Sequence, residues 1–185
     1  MYNIPIPYPF WINPQMVYPY LFWINPNMMY PPKSKVNTPM YNQNFNETTI
    51  DLRDNRSFPL VIDIGEAVEH NNTFRTVLWT GNNLQVTVMS IGVGEDIGLE
   101  VHPNGDQFIR IEDGDGFVVM GDSQDNLDFQ RRVSDDSAIM IPAGKWHNII
   151  NIGDDPLKLY VIYAPPEHPE NTVHQNKSDA DADMS

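Results

Sequence analysis

Between Gly94 and Asn151 the chain carries four potential metal donors at spacings that only a folded sheet can use. Glu100 and His102 stand two apart in a short apolar-alternating run, and strand side chains alternate between faces, so both point the same way. Pro103-Asn104-Gly105-Asp106 is a strong turn signal that reverses the chain and starts Gln107 on a strand beside the first. A third donor then reaches the same spot. Pro142-Ala143-Gly144-Lys145 makes a second turn, and His147 heads the apolar strand after it, supplying the fourth.

The surroundings read as β throughout. From Phe58 onward, short runs suited to strands fall at 60–64, 74–79, 84–91, 99–102, 107–112, 116–120, 128–133, 137–141, 147–151 and 157–163. Thr80-Gly81-Asn82-Asn83 is a hairpin signal between two of them, and 65–72 reads as a short helix or loop. Many short strands closely punctuated by turns, with no long helical period, predict an antiparallel barrel or jelly roll.

The frame Gly94, Glu100, His102, Gln107 and Gly114, followed by Pro142, Gly144, His147 and Asn151, resembles the two signature motifs of the cupin superfamily with the spacing kept. Glu100 stands where the family's first histidine is expected, Gln107 where its glutamate is, and Asp136 where the second motif's leading glycine is. The resemblance implies an all-β, single-domain jelly-roll β-barrel over residues 58–166. A low-complexity extension with a polar linker precedes it (1–57), and an acidic tail follows (167–185). It further implies a small metal-binding cupin and, since relatives often pair by strand exchange or sheet extension, a homodimer. Cupins host many reactions and also non-enzymes, so the fold alone names no substrate.

Composition narrows the chemistry. The chain has no cysteine, so a metal must sit among histidine, carboxylate and amide donors. Its net charge of -14 argues against nucleic-acid and anionic-membrane surfaces. No apolar run reads as a membrane span and no classical secretion signal is recognised, so a cytoplasmic location is expected, with a spore coat as the alternative. That alternative comes from residues 8–31, where Tyr8-Pro-Phe-Trp11-Ile-Asn-Pro14 returns as Tyr20-Leu-Phe-Trp23-Ile-Asn-Pro26. Frequent proline blocks helices and central strands. The segment reads either as an unstructured tail or as an adhesive one whose aromatic and methionine side chains dock on an assembly partner. Its composition is similar to that of Tyr/Pro/Asn-rich bacterial spore-coat proteins.

Glu100, His102 and His147 form a two-histidine, one-carboxylate set, with Gln107 able to add an amide oxygen. Such a set leaves metal positions open to a ligand and suits Mn(II), Fe(II) or Zn(II). Ile109 and Ile111 share the face of Gln107 and predict an apolar pocket floor, while Phe108 and Arg110 face away. Tyr163, Arg75, Trp79 and Trp146 are further pocket candidates; His168 and His174 are expected to be exposed. The Asp135-Asp136 and Asp154-Asp155 pairs read as solvated turns, and Asn151 as closing a strand end through the backbone. Glu100 and Tyr163 are acid–base candidates without a visible partner, so no catalytic residue is assigned. Two functions follow. One is a small-molecule cupin enzyme, isomerase-like or dioxygenase-like, for which a phosphorylated substrate would need local cations such as Lys145 or Arg110. The other is a non-catalytic module anchored by its aromatic repeat.

Overall fold

The computed structural model describes residues 50–183. The repeat over residues 8–31, with the assembly role expected of it, lies outside the described residues. In chain order the elements are helix α1 (Ile64–His70), strands β1 (Arg75–Thr80), β2 (Gln85–Ile91), β3 (Asp106–Asp113), β4 (Gly116–Gly121), β5 (Phe129–Val133), β6 (Ala138–Ile141), β7 (Trp146–Asn151), β8 (Leu157–Ala164) and β9 (Val173–His174), and helix α2 (Lys177–Asp183). The strands form two antiparallel sheets, one ordered β6-β3-β8-β2-β1-β9 and the other β5-β4-β7. Residues 96–100 add bridges from Asp96 to Ile150 and from Glu100 to His147, along the free edge of β7. This is the jelly roll expected from the punctuated runs.

Alternation sorts the side chains. Leu157, Leu159, Val161 and Tyr163 of the central strand β8 all face inward, and their partners across β2 and β3 do likewise. On the outer face of the large sheet, Leu78 and Val88 pack with Ala67 and Val68 of α1 and with Ile50, Leu52, Ile62, Ile64 and Tyr160. Helix α1 starts where Asp63 Oδ1 accepts the Glu66 N–H (3.1 Å), satisfying one of the free donors of its first turn.

Residues 60–64, expected as a strand, have no ladder partner, and Ile64 already opens α1. Their alternation is nonetheless used: Leu60, Ile62 and Ile64 line an apolar groove on the outer sheet face, while Val61 is 94% exposed. A period of two reports which face is buried and is silent on whether a backbone ladder forms.

Two motif glycines have conformational reasons. Gly144 has φ +79° in the turn closed by Lys145 N–H donating to Pro142 O (3.2 Å); a side chain there would be strained. Gly114, at φ +98°, also leaves only 3.2 Å between an added Cβ and the Pro156 carbonyl and Leu157 Cα.

The C-terminal residues expected as an acidic tail instead form a strap containing β9, paired with β1, and α2. Asn176 Oδ1 accepts the Asp179 N–H (3.1 Å), and Asp179 reaches back to the Asn176 N–H, a reciprocal cap at the start of α2. Lys177 ties the helix to Asp96. Among the described residues no helix is long and apolar enough to cross a membrane.

Candidate metal centre

A single backbone bridge builds the centre. The Glu100 N–H donates to His147 O (3.0 Å) and the His147 N–H donates to Glu100 O (2.9 Å), so the two residues are direct cross-strand neighbours with side chains on one face. His102 lies two residues beyond Glu100 and faces the same way, its carbonyl accepting the Gly144 N–H (2.8 Å). The proline–glycine turn is thereby stapled to the segment carrying Glu100 and His102, which, expected as a strand over 99–102, makes only the isolated bridge at Glu100. Asp106 Oδ1 holds the turn from the other side through the Ala143 N–H (2.8 Å).

The three side chains converge. Glu100 Oε1 lies 3.2 Å from His147 Nε2 and 3.3 Å from His102 Nε2, and the three donors form a group that could hold a metal ion. Each imidazole turns its other nitrogen outward. His147 Nδ1 is 2.9 Å from the Lys145 carbonyl, which can only accept, so Nδ1 carries a proton and Nε2 is the nitrogen turned to the centre, where it meets the Glu100 carboxylate or, unprotonated, would meet a metal. His102 Nδ1 is 3.0 Å from Glu167 Oε1. An outer partner fixing the tautomer is the support that ligating histidines ordinarily have; the Lys145 carbonyl gives it to His147, whereas His102 Nδ1 is close to Glu167 without an aligned hydrogen bond.

Electrostatics agree with a charged centre. Burial pushes the Glu100 carboxyl up, but hydrogen bonding to His102 and His147, helped by the charge of Arg75, outweighs it and holds the group well below the usual carboxylate range. Burial pushes His102 down, yet Glu100 and then Glu167 carry it above its ordinary value. Above them Tyr163 meets His102 edge-on at 5.8 Å between centroids and His168 at 5.0 Å. Burial raises Tyr163 to about 12, keeping it a protonated phenol. Burial, then Arg75, lowers His168 to about 3, keeping it a neutral imidazole.

Gln107 stands on the same interior, paired across β3 and β8 with Tyr163; it is 4% exposed and neither amide atom has a hydrogen-bond partner. Ile109 and Ile111 lie beneath it in the core, as their alternation requires. Arg75 and Tyr163 are interior. Trp79 is not: it lies on the outer face and donates Nε1–H to the Phe58 carbonyl. Trp146 is half-buried at the start of β7. Asp135, Asp136, Asp154 and Asp155 are exposed.

The expectation that His168 and His174 are exposed does not hold: His174 is buried, bonding Asp183 Oδ2 at 2.7 Å, and His168 is half-buried against Tyr163. Glu167 was not singled out at all. All three lie on or beside irregular chain, where no periodicity announces the direction of a side chain. Gln85 fixes them. Fully buried, it accepts the His168 N–H (3.0 Å) and Glu167 N–H (3.3 Å) at Oε1, and donates from Nε2 to the His168 carbonyl (2.9 Å). Replacing Gln85 with leucine strands these backbone groups, at about 1–3 kcal/mol for each that stays buried. The variant is expected to lose stability to denaturant and to expose the strap to proteolysis; unchanged cleavage around Pro165–Asn171 would refute the pinning role.

A family profile described as a cupin domain matches residues 87–163. The Bacillus subtilis protein YrkC is 64% identical over 129 residues, which span 70% of this chain and 69% of YrkC. The L612 protein of Acanthamoeba polyphaga mimivirus is 38% identical over 120 residues, 64% of this chain and 73% of that one. A crystal structure of BH2720 from Bacillus halodurans superposes with a TM-score of 0.70 at 58% identity, covering 70% of this chain and 98% of the other. With the barrel topology, the motif frame and these relatives in agreement, the chain belongs to the cupin superfamily.

Proposed function

We propose that the chain is a metal-dependent cupin. Glu100, His102 and His147 hold a divalent ion, Gln107 offers a fourth donor, and a small oxygen-bearing molecule is bound and transformed beside them. The observation that carries this reading is the convergence of the two imidazoles: both Nε2 atoms lie within 3.3 Å of Glu100 Oε1, while His147 Nδ1 is held by the Lys145 carbonyl and His102 Nδ1 lies 3.0 Å from Glu167 Oε1. The orphaned amide of buried Gln107 fits the same group, since an unpartnered buried amide is costly. Two nitrogens and one carboxylate, with an amide oxygen nearby, suit Mn(II), Fe(II) or Zn(II) and leave positions for a ligand.

Of the isomerase-like and dioxygenase-like readings, the interior favours the second. An isomerase needs a side chain that cycles a proton near neutral pH. Beyond the three ligands, Tyr163 is raised to about 12 and His168 lowered to about 3, and neither is poised there. The protein's own residues then act by orienting the molecule, while the ion supplies the Lewis acidity or redox chemistry.

Elemental analysis of the purified full chain is expected to find close to one equivalent of transition metal. With Fe(II) restored, oxygen uptake in the presence of small chelating acids is expected to exceed that of a Glu100→Ala control. Absence of metal after purification and after reconstitution with each of the three ions would sink the metal reading. Metal uptake with proton exchange at a substrate carbon and no oxygen uptake would favour the isomerase.

A further inference from the structure

Inside the same barrel stands a cation that the three metal ligands do not need. Arg75 opens β1 opposite Met89 of β2 on one side and His174 of β9 on the other. Met89 belongs to the interior core, and directly paired residues share a face, so Arg75 also points inward. It is 2% exposed, and its Nε has no hydrogen-bond partner. No ion pair joins it to any described carboxylate, although every other described arginine whose side chain meets an acid does so on the surface, at Asp51, Glu170, Glu112 or Asp136. Arginine is rarely buried unless paired, because a guanidinium withdrawn from water without a partner is expensive.

Its guanidinium carbon lies 5.7 Å from the centroid of the Phe74 ring, a contact that leaves the charge without an acid. That charge is near enough to bear on Glu100, Tyr163 and His168, which stand on three separate segments at the candidate metal centre. Glu100 is already engaged by two imidazoles. With a divalent ion bound, Glu100 would be the one interior acid set against both the ion and Arg75, a surplus of positive charge in a low-dielectric space. Hydrogen-bonding capacity is in surplus too, at both amide atoms of Gln107 and at His168 Nε2.

We propose that Arg75 receives the carboxylate of a small organic acid whose second oxygen donor reaches the metal position. The proposal rests on the metal reading above and names the substrate class for that site. One planar guanidinium can hold two oxygens of either a carboxylate or a phosphate, and a carboxylate is favoured because its single charge needs no second cation. The cations that a phosphate would need are elsewhere: Lys145 pairs with Asp122, and Arg110 pairs with Glu112 and Asp136 on the outer side. The protonated Tyr163 hydroxyl, the neutral His168 ring and the Gln107 amide supply uncharged contacts for the rest of the molecule.

The test uses the full chain, with and without Co(II), titrated calorimetrically with malonate, succinate, the neutral isostere malonamide and inorganic phosphate. Malonate or succinate is expected to bind at least tenfold more tightly than malonamide and more tightly than phosphate. Arg75→Gln is expected to lose that preference tenfold or more, Arg75→Lys to recover part of it, and Arg110→Gln to leave it unchanged. The proposal is overturned if Arg75→Gln binds both dicarboxylates as the unmodified protein does, if phosphate is preferred, or if the unmodified protein does not distinguish malonate from malonamide. That last comparison decides even if Arg75→Gln fails to fold. The cobalt absorption spectrum separates the two readings. Co(II) uptake without any acid preference overturns the Arg75 assignment and leaves the metal centre standing. An Arg75-dependent acid preference without Co(II) uptake supports the carboxylate contact and overturns the metal centre.

Discussion

Replacing His147 with alanine is expected to lower the affinity for divalent metal by more than the roughly 10–100-fold typical of losing an outer-shell partner, because it removes a donor and not merely its support. His147 is fully buried, its ring fixed between the Lys145 carbonyl and Glu100, so no neighbouring side chain can swing into its place without repacking β7. Glu167→Gln makes the informative companion. It keeps all three donors and replaces the carboxylate facing His102 Nδ1 with an amide, so a smaller loss is expected, about 10-fold and within the outer-shell range. Competition with a chromophoric chelator at fixed pH measures both. Retention of metal by His147→Ala within a factor of about three of the unmodified protein would show that the convergence of Glu100, His102 and His147 is structural and not a binding centre.

The metal-free protein gives this experiment a second arm. Removing the imidazole leaves the Glu100 carboxylate buried with one fewer hydrogen-bond donor, and stranding a charged buried group costs more than deleting a neutral one. His147→Ala is therefore expected to be less stable than the unmodified protein even without metal, and the gap should widen when metal is added, since only the unmodified chain gains stability from binding. A gap that stays constant on adding metal would separate a packing role from a ligand role.

The strands were legible because their evidence is local. The alternation of Gln107, Ile109 and Ile111 against Phe108 and Arg110 states which side of β3 is interior, and the burial pattern follows it. The convergence of Glu100, His102 and His147 was equally legible, since their placement depends on alternation and turn chemistry: Glu100 and His102 by spacing, His147 by the turn at Pro142–Lys145. What stayed hidden depends on tertiary path. The segment around Leu60 alternates like a strand yet packs by side chains alone. Glu167 and His168 are brought against His102 and Tyr163 by Gln85, a residue distant in sequence whose amide reads locally as an ordinary strand polar group. Arg75 was already a pocket candidate; its isolation from acids becomes visible only once every described carboxylate has a position.

Asn151 shows how one motif residue can be read correctly for its role while its energetic weight emerges only from the structure. It ends β7 with 2% exposure, and its Nδ2 donates to the carbonyls of Ile91 (2.9 Å), Gly92 (3.1 Å) and Asp155 (2.8 Å), while Oδ1 accepts the Gly153 N–H (2.9 Å). One amide thus ties together the end of β2, the turn before β8 and its own strand, beside the backbone bond from Asn151 N–H to Glu95 O. Asn151→Ala removes a donor from three carbonyls, of which Gly92 keeps the Glu95 N–H (3.0 Å), and the acceptor of one N–H. At about 1–3 kcal/mol for each polar group left buried and unpaired, partly relieved where water enters, a loss of about 3–4 kcal/mol is expected, a large part of the roughly 5–15 kcal/mol that holds a domain together. Asn151→Asp is the sharper probe, because it keeps the shape and the acceptor facing Gly153. It replaces the donors with an anion set among three carbonyl oxygens, so at neutral pH it is expected to be at least as damaging as alanine. Urea unfolding of the metal-free protein measures both. If Asn151→Asp came within about 0.5 kcal/mol of the unmodified chain, the size of effect usual for surface changes, the amide donors would be idle and the junction of β2, β7 and β8 would have to be held by backbone bonds alone.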